Sequence, residues 1–345
     1  MPAAERGAAE MAMVHLLDDP SPRVRLSLAE ALAHSEKAPR AVVLSLAQDQ
    51  PEIAGLVIFS SPVLTDADLV DLAAHGSEFT RILIASRGAV SVSVCAALAE
   101  IGGEEEVLCL LENAGASFTG GALRRIAERF GHLAEVRNLL AERAGLPPDA
   151  RHVLVQQVSD ALAASGLAQA TLGSRRLEHV TREAAETATV ALAGTAGQGD
   201  MPDLVEHLRR SGRLTPAFLM HALCSGKADF FAVAVANLSG CDERRVRAIL
   251  ATARMHAVRA LFECAGLDRD ISVIFVEATL HWRKASRAAA GRRPQDVSLR
   301  LLKGFARDRG LPEAARRLLE IVERLHVAQQ RQSARDFAAL ATFAA

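Results

Sequence analysis

Few side chains in this 345-residue chain have the types and the spacing that metal binding requires. His221 and Cys224 lie one helical turn apart with Cys241 downstream, which is the spacing of an incomplete zinc site. His179 and Glu183 lie four residues apart, either as metal ligands or as an ordinary ion pair on a solvated helix face. Because apolar residues share the helical register of Cys224, a buried core thiol is the favoured interpretation. We therefore predict no metal and no cofactor.

Sequence motifs for catalysis or nucleotide binding are absent. The glycine-rich run at 194–200 has no Lys and no preceding strand, so it is not a phosphate loop. The chain contains no HExxH or GxSxG motif, and its eleven His pair with no Ser or Cys nucleophile in a recognisable pattern. The sequence predicts that the protein is not an enzyme and offers no catalytic residue. The alternative is a site formed by residues far apart in sequence.

The strongest functional signal is an excess of positive charge at residues 281–309. This segment has nine Lys or Arg against two Asp, whereas the whole chain has a net charge of −1. The candidate binding residues are Trp282, Arg283, Lys284, Arg287, Arg292 and Arg293. Basic side chains beside an aromatic ring suit nucleic acid or another anion. Since only four of the 40 basic residues are Lys, a coding bias toward Arg favours the simpler interpretation, a solvated helix surface.

The elements that carry these residues are predicted to be helices. Half of the residues are hydrophobic but only 4% are aromatic, and there is no Tyr, which disfavours a β-sandwich or barrel. Apolar residues recur at helical spacing, as at Val24, Leu28 and Leu32. The exception is the alternating run Val90–Val94, which we interpret as a helix start. The predicted fold class is all-α.

A short signature marks helix starts at regular intervals. An apolar residue is followed by Ser or Thr, and a second apolar residue stands five positions after the first. The hydroxyl residues are Thr65, Ser91, Thr119 and Thr215. Such a hydroxyl caps the first turn while the apolar pair packs across it. The first three copies are 26 and 28 residues apart, which is room for one helix pair per repeat, so we expect an α-solenoid of HEAT-like helix pairs.

A longer duplication predicts two related halves. Segments between 97 and 146 match segments between 222 and 267, and the offset shortens from 125 to 121 residues. We assign 1–164 to an N-terminal helical-repeat half, 165–200 to a connecting helix and Gly-rich loop, and 201–345 to a C-terminal helical half. For the second half, a compact bundle is the alternative to a solenoid. The predicted core residues are Leu28, Leu123, Leu139, Leu219 and Ile249.

The chain also resembles a bacterial family of unknown function, family 2336, found mainly in alphaproteobacteria. The similar segments include Arg23–Leu32, Ser61–Thr65, Ile84–Arg87, Leu214–Leu219 and Asp229–Phe231. These motifs are structural, and none is catalytic. The resemblance implies an all-helical, HEAT-like cytosolic protein without an established activity.

The predicted function is a non-enzymatic scaffold that binds a protein partner. The alternative is nucleic-acid or anionic-ligand binding through 281–309. The first residues show no secretory signal, the longest apolar run is too short for a membrane, and five scattered Cys form no CxxC pair. We therefore expect a cytoplasmic protein with reduced thiols and no membrane association.

Overall fold

The computed structural model describes residues 3–143, 145–287, 296–306, 308 and 310–343. These residues form 21 α-helices, and the only β-type pairing among them is one parallel bridge between Val90 and Ala116. The predicted all-α fold class is confirmed. The chain divides into two compact units, Met1–Ala161 and Leu162–Ala345. The expected connecting segment 165–200 lies within the second unit, where it forms two helices and the turn after them.

The first unit contains ten complete helices and most of an eleventh. They are α1 (Ala3–Leu17), α2 (Pro22–Leu32), α3 (Arg40–Leu46), α4 (Pro51–Ser60), α5 (Asp66–His75), α6 (Glu78–Ala85), α7 (Val92–Ile101), α8 (Glu104–Glu112), α9 (Gly120–Phe130), α10 (Ala134–Glu142) and α11 (Pro148–Ala164).

Helices of the first unit pack in two rows. In the first row, α2, α4, α6, α8 and α10 each pack along the next. In the second row, α5 packs along α7 and α7 along α9. The pairs α5–α6, α7–α8 and α9–α10 connect the rows and correspond to the predicted repeat of one helix pair. Because a short amphipathic helix cannot bury its apolar face alone, each helix depends on its row neighbours.

Hydroxyl residues begin the helices at the positions predicted from the sequence. Thr65, Ser91, Thr119 and Thr215 are N-caps, and each side-chain oxygen accepts a hydrogen bond from a main-chain N–H of the first turn. At Val90, the main chain makes the isolated bridge, and the helix begins directly afterwards. The interpretation of the alternating run as a helix start is therefore confirmed.

Three polar side chains connect the C-terminal ends of neighbouring first-row helices. Arg87, Asn113 and Arg143 follow α6, α8 and α10, and each donates to carbonyl oxygens at the end of the preceding first-row helix. The Asn113 amide makes two such bonds of 2.7 and 2.8 Å. The last carbonyl groups of a helix have no partner within the helix, so these bonds satisfy them and fix the stacking of successive repeats.

The second unit contains ten further helices. They are α12 (Gly166–Leu172), α13 (Ser174–Thr195), α14 (Met201–Arg210), α15 (Pro216–Cys224), α16 (Ala228–Ser239), α17 (Glu243–Thr252), α18 (Met255–Cys264), α19 (Arg269–Arg287), α20 (Asp296–Phe305) and α21 (Glu313–Phe343).

A cluster of aromatic side chains lies in the core of the second unit. Phe231 packs against Phe262 and Phe275 at ring-centroid distances of 5.9 and 6.2 Å, and Phe230 meets Phe218 edge to face. All five rings are buried. The adjacent phenylalanines at the start of α16 therefore anchor helix packing.

The duplicated stretches contain helices in the same order but packed differently. Helices α7 to α10 occupy the first copy and α15 to α18 the second. The second and fourth helices of each copy pack along each other. In contrast to α7, which packs along α9, α15 packs mainly against α13, α16, α19 and α21. The first helix of the second copy thus packs against two helices, α19 and α21, that follow this copy in the chain.

Three of the five predicted core residues are buried, namely Leu28, Leu123 and Leu219. The prediction is wrong for Leu139 and Ile249, which are only half-buried against the core. The buried positions are their neighbours Leu140 and Leu250, each four residues after a fully buried valine. Two adjacent apolar residues satisfy the same sequence pattern, and the rotation of the helix in its packed position selects one of them.

Candidate functional site

A groove opens in the first unit between α3 and α5. The described residues of α3 and α5 lack the extensive contact that α5 makes with α7. An ion pair of 2.5 Å between Arg40 and Asp68 joins the first turns of these two helices. Toward their last turns lies a groove of about 550 Å³, bounded also by α4 and α6. We call it the α3–α6 groove.

The floor of the α3–α6 groove is apolar. It is lined by Leu44, Ala54, Ile58, Leu72 and Leu83, which are buried or half-buried. At its rim, Phe79 on α6 is 50% exposed. Gly55 faces the same space, and a methyl group there would make ordinary contacts of 3.5 Å with Leu83 and 3.9 Å with Phe79.

Acidic side chains surround the floor, and two of them are already neutralised. Asp49 pairs with Arg25 at 2.6 Å and Asp68 with Arg40. Asp71 is exposed one turn from His75, whose Nδ1 lies 3.0 Å from the Asp71 carbonyl oxygen. Among the described residues, no ion pair engages the Asp71 carboxylate. This carboxylate is therefore available to a cation.

The two paired carboxylates of the groove have lowered pKa values. The hydrogen bond from Arg40, together with those from the Thr65 hydroxyl and main-chain N–H, lowers the pKa of Asp68 to about 2 against the opposing effect of burial. A hydrogen bond from Arg25 likewise lowers the pKa of Asp49. Carboxylates with such low pKa values stay ionised near neutral pH and are poor general acids or bases.

The structure gives different roles to the predicted residues of the basic segment. Trp282 is half-buried, packs against the core of the second unit and lines a cavity of about 240 Å³ with Asp229 and Arg247. Arg283 donates from Nη1 to the carbonyl oxygen of Thr252 at 2.7 Å, which closes the end of α17. Lys284 is exposed. Of these three, Lys284 is the residue whose charge is directed to solvent.

The remaining predicted residues are not brought into a described site. Arg287 is the last residue of α19, and its side chain lies outside the described side chains. Arg292 and Arg293 lie outside the described residues. The binding role of this segment stays a prediction.

A second cavity, of about 310 Å³, lies between α13, α15 and α21 in the second unit. We call it the α15 cavity. Its lining includes His221 and Cys224, the residues that resemble part of a zinc site, together with Lys227, but it does not include Cys241. Burial lowers the pKa of His221 to about 4 and raises the pKa of the Cys224 thiol to about 12. The buried-thiol interpretation of Cys224 is confirmed.

The other suggested metal pair lies on the surface. His179 and Glu183 are exposed on α13, with 3.9 Å between Nε2 and Oε2. Within the described ranges, no group of three His, Cys, Asp or Glu side chains is arranged to hold a metal ion. Nor does any described helix have the length and apolar character needed to cross a membrane.

Sequence reasoning missed both the α3–α6 groove and Lys227. One available signal was α3, whose seven residues make it among the shortest helices of the chain. Another was Phe79, placed in the first turn of α6 at a position outside the buried face defined by Ile84. Neither signal reveals a gap between two helices that are 20 residues apart in sequence.

Comparison with known proteins identifies a family but no characterised relative. A family model described as "Uncharacterised protein conserved in bacteria (DUF2336)" matches residues 53–311. No curated protein and no solved structure matches the chain.

Proposed function

The chain belongs to the DUF2336 family of bacterial proteins, and we propose that this member is a non-enzymatic scaffold that binds a protein partner in its α3–α6 groove. The observation that carries the proposal is the combination of an open apolar floor, an exposed Phe79 and an unpaired Asp71 in one groove. Aromatic anchors over apolar pockets dominate the affinity of many protein interfaces.

The partner that fits this groove is an extended or helical protein segment with one large apolar side chain and a neighbouring Lys or Arg. The apolar side chain would occupy the floor between Ile58 and Leu72. The cationic side chain would approach Asp71, because Asp49 and Asp68 are already paired with arginines. We propose that this interaction takes place in the cytoplasm. We also propose that the protein is an α-solenoid of HEAT-like helix pairs, a class of fold that commonly binds partners on its concave surface.

The experiment combines site-specific cross-linking with variants that fill the groove. A photo-reactive phenylalanine analogue replaces Phe79 in cells, and cross-linked proteins are identified by mass spectrometry. The same analogue at Phe59, which is 46% exposed but does not line the groove, is the control. A partner specific to position 79 is then expressed, and its affinity for purified variants is measured by titration calorimetry.

Gly55 offers a matched pair of variants. Gly55→Ala adds a methyl group that the groove accommodates, so affinity is expected to stay near that of the original protein. Gly55→Leu fills the space above the floor and is expected to weaken binding about tenfold or more, as are Phe79→Ala and Asp71→Lys. Equal affinity of all four variants, with unchanged helical circular dichroism, would show that the partner does not use this groove.

The described contacts give nucleic-acid binding through the basic segment no comparable support. Arg283 is engaged with the end of α17 and Trp282 with the core. Anion binding through Lys284, Arg287, Arg292 and Arg293 remains the alternative. Salt-dependent binding of random DNA that is weakened by alanine at these four positions would favour it.

A further inference from the structure

The α15 cavity carries a positive charge without a partner among the described residues. Lys227 lies at the start of α16, half-buried, with its side chain lining the cavity. The nearest acidic residue in sequence, Asp229, pairs with Arg247 at 2.5 Å. None of the described lining residues carries a carboxylate. Since Lys227 is half-buried, a negatively charged occupant of the cavity would form a charge-assisted contact with it.

The position of this charge depends on Gly194. Lys227 extends across α13 so closely that a methyl group on Gly194 would collide with the end of its side chain. Gly194 lies within α13, which continues to Thr195, although it belongs to the glycine-rich run 194–200 that the sequence indicated as a loop. A glycine in a helix destabilises it relative to alanine, and here it makes room for the lysine.

Hydrogen-bonding groups and apolar atoms complete the lining. The His221 ring is neutral near pH 7, and it and the Ser225 hydroxyl contribute polar atoms to the cavity. Val190 and Ala191 of α13 contribute apolar surface. The Gln329 amide of α21 donates to the carbonyl oxygen of Cys224 at 3.3 Å, and this hydrogen bond connects α21 to the end of α15.

We propose that the α15 cavity binds a small oxyanion, a carboxylate or phosphate group, with Lys227 as its main cationic contact and His221 and Ser225 as hydrogen-bonding contacts. The volume of about 310 Å³ is at the lower end of the range of small-molecule sites. Chemistry on the ligand is not part of the proposal, since the high pKa of Cys224 leaves its thiol unreactive. This site is independent of the α3–α6 groove.

The test is titration calorimetry of the full chain with two probes, inorganic phosphate and succinate. Both are titrated in an oxyanion-free buffer at a constant ionic strength set with sodium chloride. Three variants are compared with the original protein: Lys227→Gln removes the charge, Gly194→Ala keeps the charge but displaces it, and Lys303→Gln removes an exposed charge on α20 of the same unit. Helical circular dichroism checks that each variant is folded.

We expect saturable binding of at least one probe at one site per chain. Lys227→Gln should weaken it about tenfold or more, because a charge-assisted hydrogen bond is lost. Gly194→Ala should weaken it severalfold, and Lys303→Gln should leave it unchanged. The relative affinity for the two probes distinguishes a phosphate site from a carboxylate site.

Two results would overturn the proposal. One is that neither probe binds saturably to the original protein. The other is that Lys227→Gln and Lys303→Gln affect binding equally, which would indicate general attraction of anions to the surface. If Lys227→Gln alters the fold, Gly194→Ala takes its place as the test because it preserves every charge, and unchanged binding by Gly194→Ala would then overturn the proposal.

Discussion

The Arg81 guanidinium and the Glu106 carboxylate form an ion pair of 2.8 Å that joins α6 to α8, and the carboxylate is almost fully buried. Arg81 also donates to the carbonyl oxygen of Gly76 at 3.0 Å. Similar Arg–acid pairs join other neighbouring repeats of the first unit at separations of 24 to 28 residues; they are Arg25–Asp49, Arg40–Asp68 and Arg124–Asp149. These ion pairs link successive helix pairs of the first unit through their side chains.

We expect Arg81→Met to destabilise the first unit by about 3 kcal/mol, because it leaves the Glu106 carboxylate buried without its partner. The measurement is the free energy of unfolding in urea. Arg125→Met is the matched control, because Arg125 pairs with Glu100 at 2.7 Å between side chains that are both more than 40% exposed. That pair is expected to contribute less than about 1 kcal/mol. Equal losses for the two variants would contradict the role assigned to burial.

The register of α10 gives a second prediction. Leu140→Ala is expected to reduce the free energy of unfolding by about 2–5 kcal/mol, since Leu140 is fully buried. Leu139→Ala removes the same atoms from a half-buried position and should cost less than half as much. Thermal and urea unfolding of the two variants provide the comparison. A larger loss for Leu139→Ala would restore the register inferred from the sequence.

The lowered pKa of Asp68 predicts that the folded protein loses stability in acid. Its pKa is about 2 in the folded protein against an ordinary value of 3.8, so folding favours the ionised carboxylate. The resulting stabilisation, about 1–2 kcal/mol, is complete above the unfolded pKa and disappears as the pH falls toward 2. The difference in unfolding free energy between the original protein and Asp68→Asn should therefore shrink between pH 5 and pH 2. Asp71→Asn, exposed on the same helix, is the control.

The cysteines are expected to react with maleimide in an order set by burial. Cys264 is exposed, whereas Cys95 and Cys224 are buried and desolvation raises their thiol pKa values to about 11 and about 12. Peptide mapping after brief labelling at pH 7.5 should find modified Cys264 in the folded protein and modified Cys95 and Cys224 only in urea. Labelling of Cys224 at the rate of Cys264 would contradict the packing of α15.

Much of the fold could be predicted from the sequence because it depends on interactions between residues close together in the chain. Thr65, Ser91 and Thr119 begin helices because a hydroxyl satisfies main-chain N–H groups within the same turn, an interaction that needs no distant partner. Helical spacing and the scarcity of aromatic residues were likewise sufficient to assign the fold class.

Tertiary structure decided the features that depend on contacts between distant segments. Whether Leu139 or Leu140 faces the core follows from the rotation of α10 against its neighbours. Arg283 caps the C-terminal end of α17 because the carbonyl oxygen of Thr252 lies within hydrogen-bonding distance of its guanidinium. The α3–α6 groove exists because α3 and α5 separate beyond the Arg40–Asp68 pair. Sequence patterns report which face of a helix is apolar, whereas the spaces left between helices arise only when those faces are packed together.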